Sequence, residues 1–464
     1  MIAFRLSVVR QGPALFSLRS YQSRAEFRQW IDRVQISSMP RPRKAVLMSP
    51  AQATPFLVSL DPMAESNYRV WQVPKGQAAS EHSPVASFIE VRILLSNNEV
   101  VRTAVSDLGS WSSFRLSKFY ELVDVLTGDV AYRFSAGLPV DWVTGGHYHS
   151  RKIRKTNLTK DIHLRCYLTR VGTSSVEIRT DAVQDNELVN ACHTVMVALD
   201  PHTMRPLNNV NVTLPALEYE DGEDEEGQRH RAELAEWHEC IRKARVKSTM
   251  QLRTSISTPP TPSEVQDIHH LHQNAIRMRE GRSPRPIRPR NVGEYTFRSS
   301  FVIFPEDRNV HGKLFGGYVM SQAYNLALYA VKFFVRSGQS DAHGVVPLGI
   351  DEAVFHQPVS IGDLISFTAR VVHATEYTCR VFVTVQVLDP TDPDRLPTRS
   401  NRLIFVFAAR PCMEWKDCHY VVPQTYSEVL MQVEATRRYA VEGPSDAEAW
   451  TILEEAAKTI AAPL

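Results

Sequence analysis

A chain of 464 residues that is 43% hydrophobic can bury two or three sizeable cores, and its composition is that of an ordinary globular protein rather than a fibre or a disordered tail. Its 53 basic and 51 acidic residues leave a net charge of +2, which makes no electrostatic case for nucleic acid or for a membrane surface. No apolar run reaches the roughly 18 to 20 residues that a membrane helix needs, and the six dispersed cysteines (Cys166, Cys192, Cys240, Cys379, Cys412 and Cys418) form no C-x-x-C pair, a pattern of reduced intracellular thiols rather than of disulfides or zinc.

The N-terminal stretch, residues 1–25, carries Arg5, Arg10, Arg19 and Arg24 among Ser, Leu and Phe, with no acid before Glu26. This is the composition of a mitochondrial transit peptide, basic and lacking the long apolar centre of a secretory signal, and it implies a matrix location. The alternative is a disordered basic tail. Residues 26–83 follow as an extension without a strong pattern.

Two segments about 200 residues apart then run in parallel, the first spanning 84–205 and the second 293–411. In the first, "SFIEVRILLS" (87–96) leads to a helical stretch at 114–134 and to long strand patterns at 160–183 and 191–200. In the second, "EYTFRSSFVIFP" (294–305) leads to a helical stretch at 316–335 and to strand patterns at 362–389 and 402–410. Asp161 matches Asp363, and Arg170-Val171 matches Arg370-Val371, so a duplication is the simplest origin. Each copy offers one long, nearly all-apolar helix and about five strands. Such a helix must be covered on most sides, and a curved antiparallel sheet wrapped around it does so, with the two sheets able to join edge to edge.

Between the copies, residues 206–292 hold an acidic run, "EYEDGEDEE" (218–226), helical patterns at 229–250 and 263–280, and the proline-rich "RSPRPIRPRN" (282–291). The acids read as a solvated loop, the prolines as an extended linker, and the histidines of "DIHHLH" (267–272) as an exposed helix face rather than a metal cluster. In the tail, 412–464, Thr425…Glu428 and Ser445…Glu448 are capping boxes that start two packing helices.

The stretch "NVHGKLFGG" (309–317) ends in Gly316-Gly317 just ahead of the apolar helix at 316–335. It matches neither the G-x-x-x-x-G-K-[ST] phosphate loop nor the G-x-G-x-x-G dinucleotide fingerprint. Two readings stay open on these residues alone. The glycines permit close packing of helix and sheet while Asn309 caps a turn, or the unpaired N–H groups of the helix start and the Asn309 amide hold a developing oxyanion. The other copy bears on the choice. Asp124 lies 200 residues before Tyr324, in "LVDVL", and an acid inside an apolar helix is costly unless it is used or paired. Gly109 stands opposite Asn309, and the loop "GSWSSFRLS" (109–117) has no glycine pair. One copy therefore holds the carboxylate and the other holds the amide and glycines.

With "NVHGKLFGGYVMSQAY", "VFHQPVSIGDL" (354–364), "RVGTSSVEI" (170–178) and "YELVD" (120–124), the chain resembles the double-hotdog acyl-coenzyme A thioesterases, most closely the mitochondrial acyl-CoA thioesterase 9 group, over roughly residues 84–430. The resemblance implies an α+β tandem hotdog and hydrolysis of acyl-CoA to fatty acid and coenzyme A. It implies one working site, with Asp124 as general base or nucleophile and Asn309, Gly316 and Gly317 around the oxyanion, and one degenerate site where Tyr324 replaces the acid and Asn325 cannot act as a base. His311 and Phe315 are candidate substrate contacts, although His311 and His356 also read as hydrogen-bonded structural histidines. "HSRKIRK" (149–155) is a weak candidate for the coenzyme A phosphates. No metal or cofactor is called for beyond the coenzyme A of the substrate, since water, an acid and an oxyanion hole suffice for thioester hydrolysis; the resemblance implies a homo-oligomer, and the charge balance and apolar runs make no case for nucleic acid or a membrane span. A non-catalytic hotdog scaffold in a mitochondrial assembly is the competing reading, and hotdog hydratase chemistry is a third, for which no convincing histidine and acid pair is placed. Acyl chain length is not encoded in any motif.

Overall fold

The computed structural model describes residues 34–37, 45–47, 69–71, 89–93, 95–96, 102, 105–107, 110–135, 140–152, 156–185, 187–200, 202–203, 205–207, 259–282, 290–307, 313–335, 345–356, 358–388, 398–409, 421–442 and 446–460. In chain order these give β1 (Val34–Ser37), β2 (Ala45–Leu47), β3 (Arg69–Trp71), β4 (Ile89–Ile93), β5 (Ser106–Asp107), β6 (Ser110–Phe114), α1 (Leu116–Phe134), β7 (Asp141–Lys152), β8 (Ile162–Val171), β9 (Ser175–Gln184) and β10 (Glu187–Leu199). There follow α2 (Pro262–Arg279), β11 (Arg290–Asn291), β12 (Thr296–Val302), α3 (Gly316–Val335), β13 (Val345–Phe355), β14 (Leu364–Ala374), β15 (Thr378–Leu388), β16 (Thr398–Ala409), β17 (Val421–Val422), α4 (Tyr426–Glu442) and α5 (Asp446–Ile460). Residues 1–25, the acidic run, the 229–250 pattern and Ser445 lie outside the described residues.

Eleven strands form one sheet in the order β1-β4-β8-β9-β10-β7-β13-β16-β15-β14-β12. Read outward from the centre, each repeat has the same order of counterparts: β7, β10, β9, β8, β4 on one side and β13, β16, β15, β14, β12 on the other. The repeats meet where β7 and β13 pair antiparallel, with Gly349 opposite Arg151, Ile350 opposite Ser150 and Ala353 opposite Tyr148. This is the α+β tandem hotdog with a continuous sheet that the repeat pattern and the resemblance imply.

The period-2 alternation decides which face of the sheet meets the helices. Ile162, Leu164, Cys166 and Leu168 of β8, and Cys379, Val381, Val383 and Val385 of β15, point inward and join a single core with α1 and α3. Residues of the opposite phase on the second repeat meet the tail instead. Phe382 and Ile404 pack on Ala435 of α4, and Val346, Leu348, Val406 and Ala408 pack on Ala449 and Leu453 of α5. Beneath α4 lies a charged layer. Arg402 donates to Glu352 (2.8 Å) and to Glu434 (2.6 Å), while Arg438 donates to Glu352 (2.7 Å) and Glu434 (3.0 Å). The two arginines and two glutamates satisfy one another, which is the condition for burying such charges.

The helix starts follow their local chemistry. Thr261 accepts from the Glu264 N–H while Glu264 accepts from the Thr261 N–H, and Pro262 supplies a first-turn residue with no amide to satisfy. Thr425 and Glu428 make the same reciprocal pair at α4. Glu264 also takes Arg437 of α4 at 2.6 and 2.8 Å, which clasps α2 onto the tail.

Candidate active site

α1 and α3 pack against each other inside the sheet, and the crossing depends on the start of α3. That helix has no acid in its own first turn, so the positive end of its dipole and its unpaired N–H groups need a partner from elsewhere. The partner comes from the other repeat. The Gly317 N–H donates to Asp124 Oδ2 at 2.7 Å, across 193 residues of chain, and Asp124 is 7% exposed. A buried carboxylate in the middle of α1 is thereby met by a helix N-terminus 193 residues away.

The two glycines set how close the helices come. A Cβ on Gly316 would lie 3.1 Å from Asp124 Oδ2. One on Gly317 would lie 2.8 Å from the Phe315 ring and 2.9 Å from the Glu121 Cα, closer than real Cβ contacts. Neither site requires a left-handed backbone; the demand is for space. Phe315 is 7% exposed and closes the first turn of α3 from the side.

α1 bears more charge than its apolar appearance suggests, all of it placed by helical spacing. Lys118, Glu121 and Asp124 recur every three residues on one stripe. Lys118 Nζ donates to Glu121 Oε2 at 2.7 Å, and both side chains are almost wholly buried. Burial pulls the Lys118 ammonium below its usual range, with Glu121 opposing. Further along, Arg133 Nε donates to Asp129 Oδ2 at 2.9 Å, and burial pushes the Asp129 carboxyl up, with Arg133 opposing. The Lys118–Glu121 pair has one local signal in the sequence, the K-x-x-E-x-x-D spacing of "SKFYELVD".

The corresponding stripe of α3 is Tyr318, Ser321 and Tyr324, all buried. Tyr324 sits in an aromatic cage, edge-on to Tyr120 (5.9 Å between centroids) and Phe405 (5.9 Å) and stacked on Phe407 (6.1 Å). A side chain so enclosed fills core volume at the position where α1 carries Asp124.

The structure thus brings Asp124, Gly316, Gly317 and Phe315 together. Asn309 and His311 lie outside the described residues, as does Gly109. His356 is exposed at the end of β13. Of "HSRKIRK", residues 149–152 form the end of β7 at the seam and 153–155 lie outside the described residues. Among the described residues no cluster of three or more His, Cys, Asp or Glu is placed to hold a metal ion, and no helix is long and apolar enough to cross a membrane.

Comparison with known proteins adds three findings. Residues 311–393 match the family model described as the thioesterase superfamily. The chain is 25% identical over 298 residues to mitochondrial acyl-coenzyme A thioesterase 9 of Bos taurus, covering 61% of each chain. It is 26% identical over 289 residues to mitochondrial acyl-coenzyme A thioesterase 10 of Mus musculus, covering 60% of each. The match therefore spans about three fifths of the length of these curated relatives. Among solved structures, an acyl-CoA hydrolase from Staphylococcus aureus overlaps 38% of this chain and 97% of its own at 22% identity, with a TM-score of 0.29.

Proposed function

We propose that this chain, similar in sequence to the mitochondrial acyl-CoA thioesterase 9 group, hydrolyses acyl-CoA to a free fatty acid and coenzyme A at the crossing of α1 and α3. The observation that carries the reading is the Asp124 carboxylate held by the Gly317 N–H at the start of the partner repeat's helix. A buried carboxylate beside a glycine-lined helix N-terminus combines a base with a field that favours negative charge on a nearby oxygen.

In the proposed reaction, Asp124 takes a proton from water as the water oxygen attacks the thioester carbonyl carbon. The Gly317 N–H is already engaged by Asp124, so it orients the carboxylate, and the developing oxyanion falls to the Gly316 N–H together with the Asn309 amide. Collapse of the tetrahedral intermediate breaks the C–S bond, and the departing thiolate takes the proton back from Asp124. The alternative within the same site is direct attack by Asp124 to form an anhydride that water then opens. Oxygen-18 found in Asp124 after a single turnover in labelled water identifies the anhydride route with water attacking the enzyme carbonyl, because base catalysis leaves Asp124 unlabelled.

The test is release of free thiol from a panel of acyl-CoAs of increasing chain length by the full chain and by Asp124→Asn. Asn retains an oxygen for the Gly317 N–H but cannot accept the proton, so hydrolysis should fall by about 100-fold or more, the span typical of a lost general base, with the thermal midpoint little changed. A wild-type chain that releases no thiol from any member would favour the scaffold reading; an Asp124→Asn variant with full activity would remove Asp124 from the site. The names of the relatives and the arginine-rich start support a mitochondrial location, checked by imaging a fluorescent fusion of the full chain. Association into homo-oligomers, checked by sedimentation, belongs to the same reading.

A further inference from the structure

The two repeats end their sheets differently. In the first, a sixth strand, β1, pairs antiparallel with β4, with Val34 opposite Ile93 and Ile36 opposite Val91. In the second, β12 comes last. One of its edges pairs with β14, from Thr296 opposite Arg370 to Val302 opposite Leu364, and among the described residues no strand meets the other. The helices differ in step with the sheets. Val125 and Asp129 of α1 are buried, whereas Asn325 and Tyr329, their counterparts 200 residues on, are exposed on α3. Tyr329 is 55% exposed, and Phe333, one turn further, is 52% exposed. Phe297 of β12 meets both rings edge-on, its centroid 5.0 Å from that of Tyr329 and 5.3 Å from that of Phe333. An open strand edge beside an exposed aromatic stripe is a surface that proteins rarely leave bare, because its N–H and C=O groups template a further strand.

β12 is complementary to itself. In an antiparallel pair about a two-fold axis through Ser299, all seven residues of Thr296–Val302 have partners: Phe297 faces Phe301 of the second copy, Arg298 faces Ser300, and Thr296 faces Val302. Phe297 and Phe301 already share the core side of the strand, where both pack against the helix layer. This register therefore keeps aromatic opposite aromatic on that side and a lone cation opposite a hydroxyl on the other. An axis one residue earlier would set Arg298 against its own copy, and an axis one residue later would part the two phenylalanines.

We propose that the free edge of β12 and the Tyr329–Phe333 face of α3 form a docking surface for a second copy of this chain, joined by β12–β12 pairing about Ser299. The pairing does for the second repeat what β1 does for the first: it adds a sixth strand, here supplied by another molecule, and it brings the Phe297, Tyr329 and Phe333 rings of both copies to one apolar contact.

The experiment follows the full chain by sedimentation velocity over a dilution series and by disulfide trapping. Wild type should self-associate. Ser300→Arg sets arginine against Arg298 twice across the axis, and Tyr329→Lys removes an exposed ring from each side; each should weaken association by about tenfold or more, as like charges directly opposite and lost aromatic anchors do. Both positions are exposed, so the melting midpoint of the dilute chain should hold. Ser299→Cys, whose new thiol meets its own copy at the axis, should give a disulfide-linked dimer under mild oxidation, within the reach of a cross-strand pair. Ser300→Cys, which faces Arg298, and wild type are the controls and should not. A wild-type chain that stays monomeric at every concentration overturns the proposal and leaves an extended segment of another protein as the occupant. Association that Ser300→Arg and Tyr329→Lys leave unchanged overturns it too, as does trapping of Ser299→Cys no faster than of Ser300→Cys. The readouts are mass and linkage rather than thiol release, so this outcome stands apart from that of the proposed reaction.

Discussion

α1 and α3 occupy equivalent places in two copies of one architecture, yet their buried stripes differ in kind. The stripe of α1 is Lys118, Glu121 and Asp124, and that of α3 is Tyr318, Ser321 and Tyr324. Ion pairing and a foreign helix N-terminus make the first tolerable in a core; an aromatic cage makes the second stable without any of that. The outer faces differ as well. In the second repeat the outward charges of β13 and β16 are matched by Glu434 and Arg438 of α4. In the first, Arg179 is matched within the sheet by Asp181 (2.6 Å), and the His193 ring makes a 3.3 Å hydrogen bond with Glu177. Duplication fixed the backbone twice and left side chains free to divide labour, so that one helix carries charge and the other supplies a glycine-lined start to receive it.

That contrast can be broken most severely at Tyr324. Tyr324→Asp would restore the acid at the second position while emptying the cage of Tyr120, Phe405 and Phe407, with no glycine pair in the 109–117 loop to receive a carboxylate. Stability should fall by about 3–5 kcal/mol, as for large core truncations, and denaturant titration should report it with no gain in thiol release per folded molecule. Arg438→Leu tests the outer face. It leaves Glu352 and Glu434 buried with one guanidinium fewer, and about 3 kcal/mol should be lost, as for breaking a buried charge network. Circular dichroism melts would register this, while the activity of the remaining folded fraction should be unchanged. Gly317→Ala probes the crossing directly. The new Cβ meets the Glu121 backbone and the Phe315 ring, so about 1–3 kcal/mol of overpacking is expected, together with a fall in hydrolysis as Asp124 loses its donor.

The smallest effect belongs to the α2–α4 clasp. The Arg437 guanidinium lowers the Glu264 carboxyl from its usual 4.5 to about 2. A depressed carboxyl contributes stability that is fully present above its unfolded value and is lost as the pH falls through its folded value. The loss should therefore fall between pH 4.5 and about 2. The pair is partly exposed, so Glu264→Gln should cost under about 1 kcal/mol at neutral pH and should flatten that acid limb. Wild-type and variant melts that run parallel over the interval would show the clasp to be energetically idle.

The sequence by itself determined the duplication, the two central helices and the strands whose inward residues alternate cleanly, such as β8 and β15, because period and apolar content are local properties. Helix caps were equally legible: Thr261 and Glu264 act within one turn, and Thr425 and Glu428 do the same. Asp124 stood out because a lone acid in "LVDVL" breaks its own pattern. The seam was a different matter. β7, "DWVTGGHYHSRK", mixes a glycine pair with histidines and bases, and β13, "VVPLGIDEAVF", carries a proline, a glycine and two acids, so neither showed a strand period. They become strands by pairing with each other and with β10 and β16, with shifts of register that absorb the irregular residues. Only the tertiary structure could decide that Asp124 meets Gly317, and that Gly316 and Gly317 are glycines for room rather than for backbone freedom. That contact joins residues 193 positions apart, and its cause is the burial of two apolar helices against each other, a demand that no local window of sequence contains.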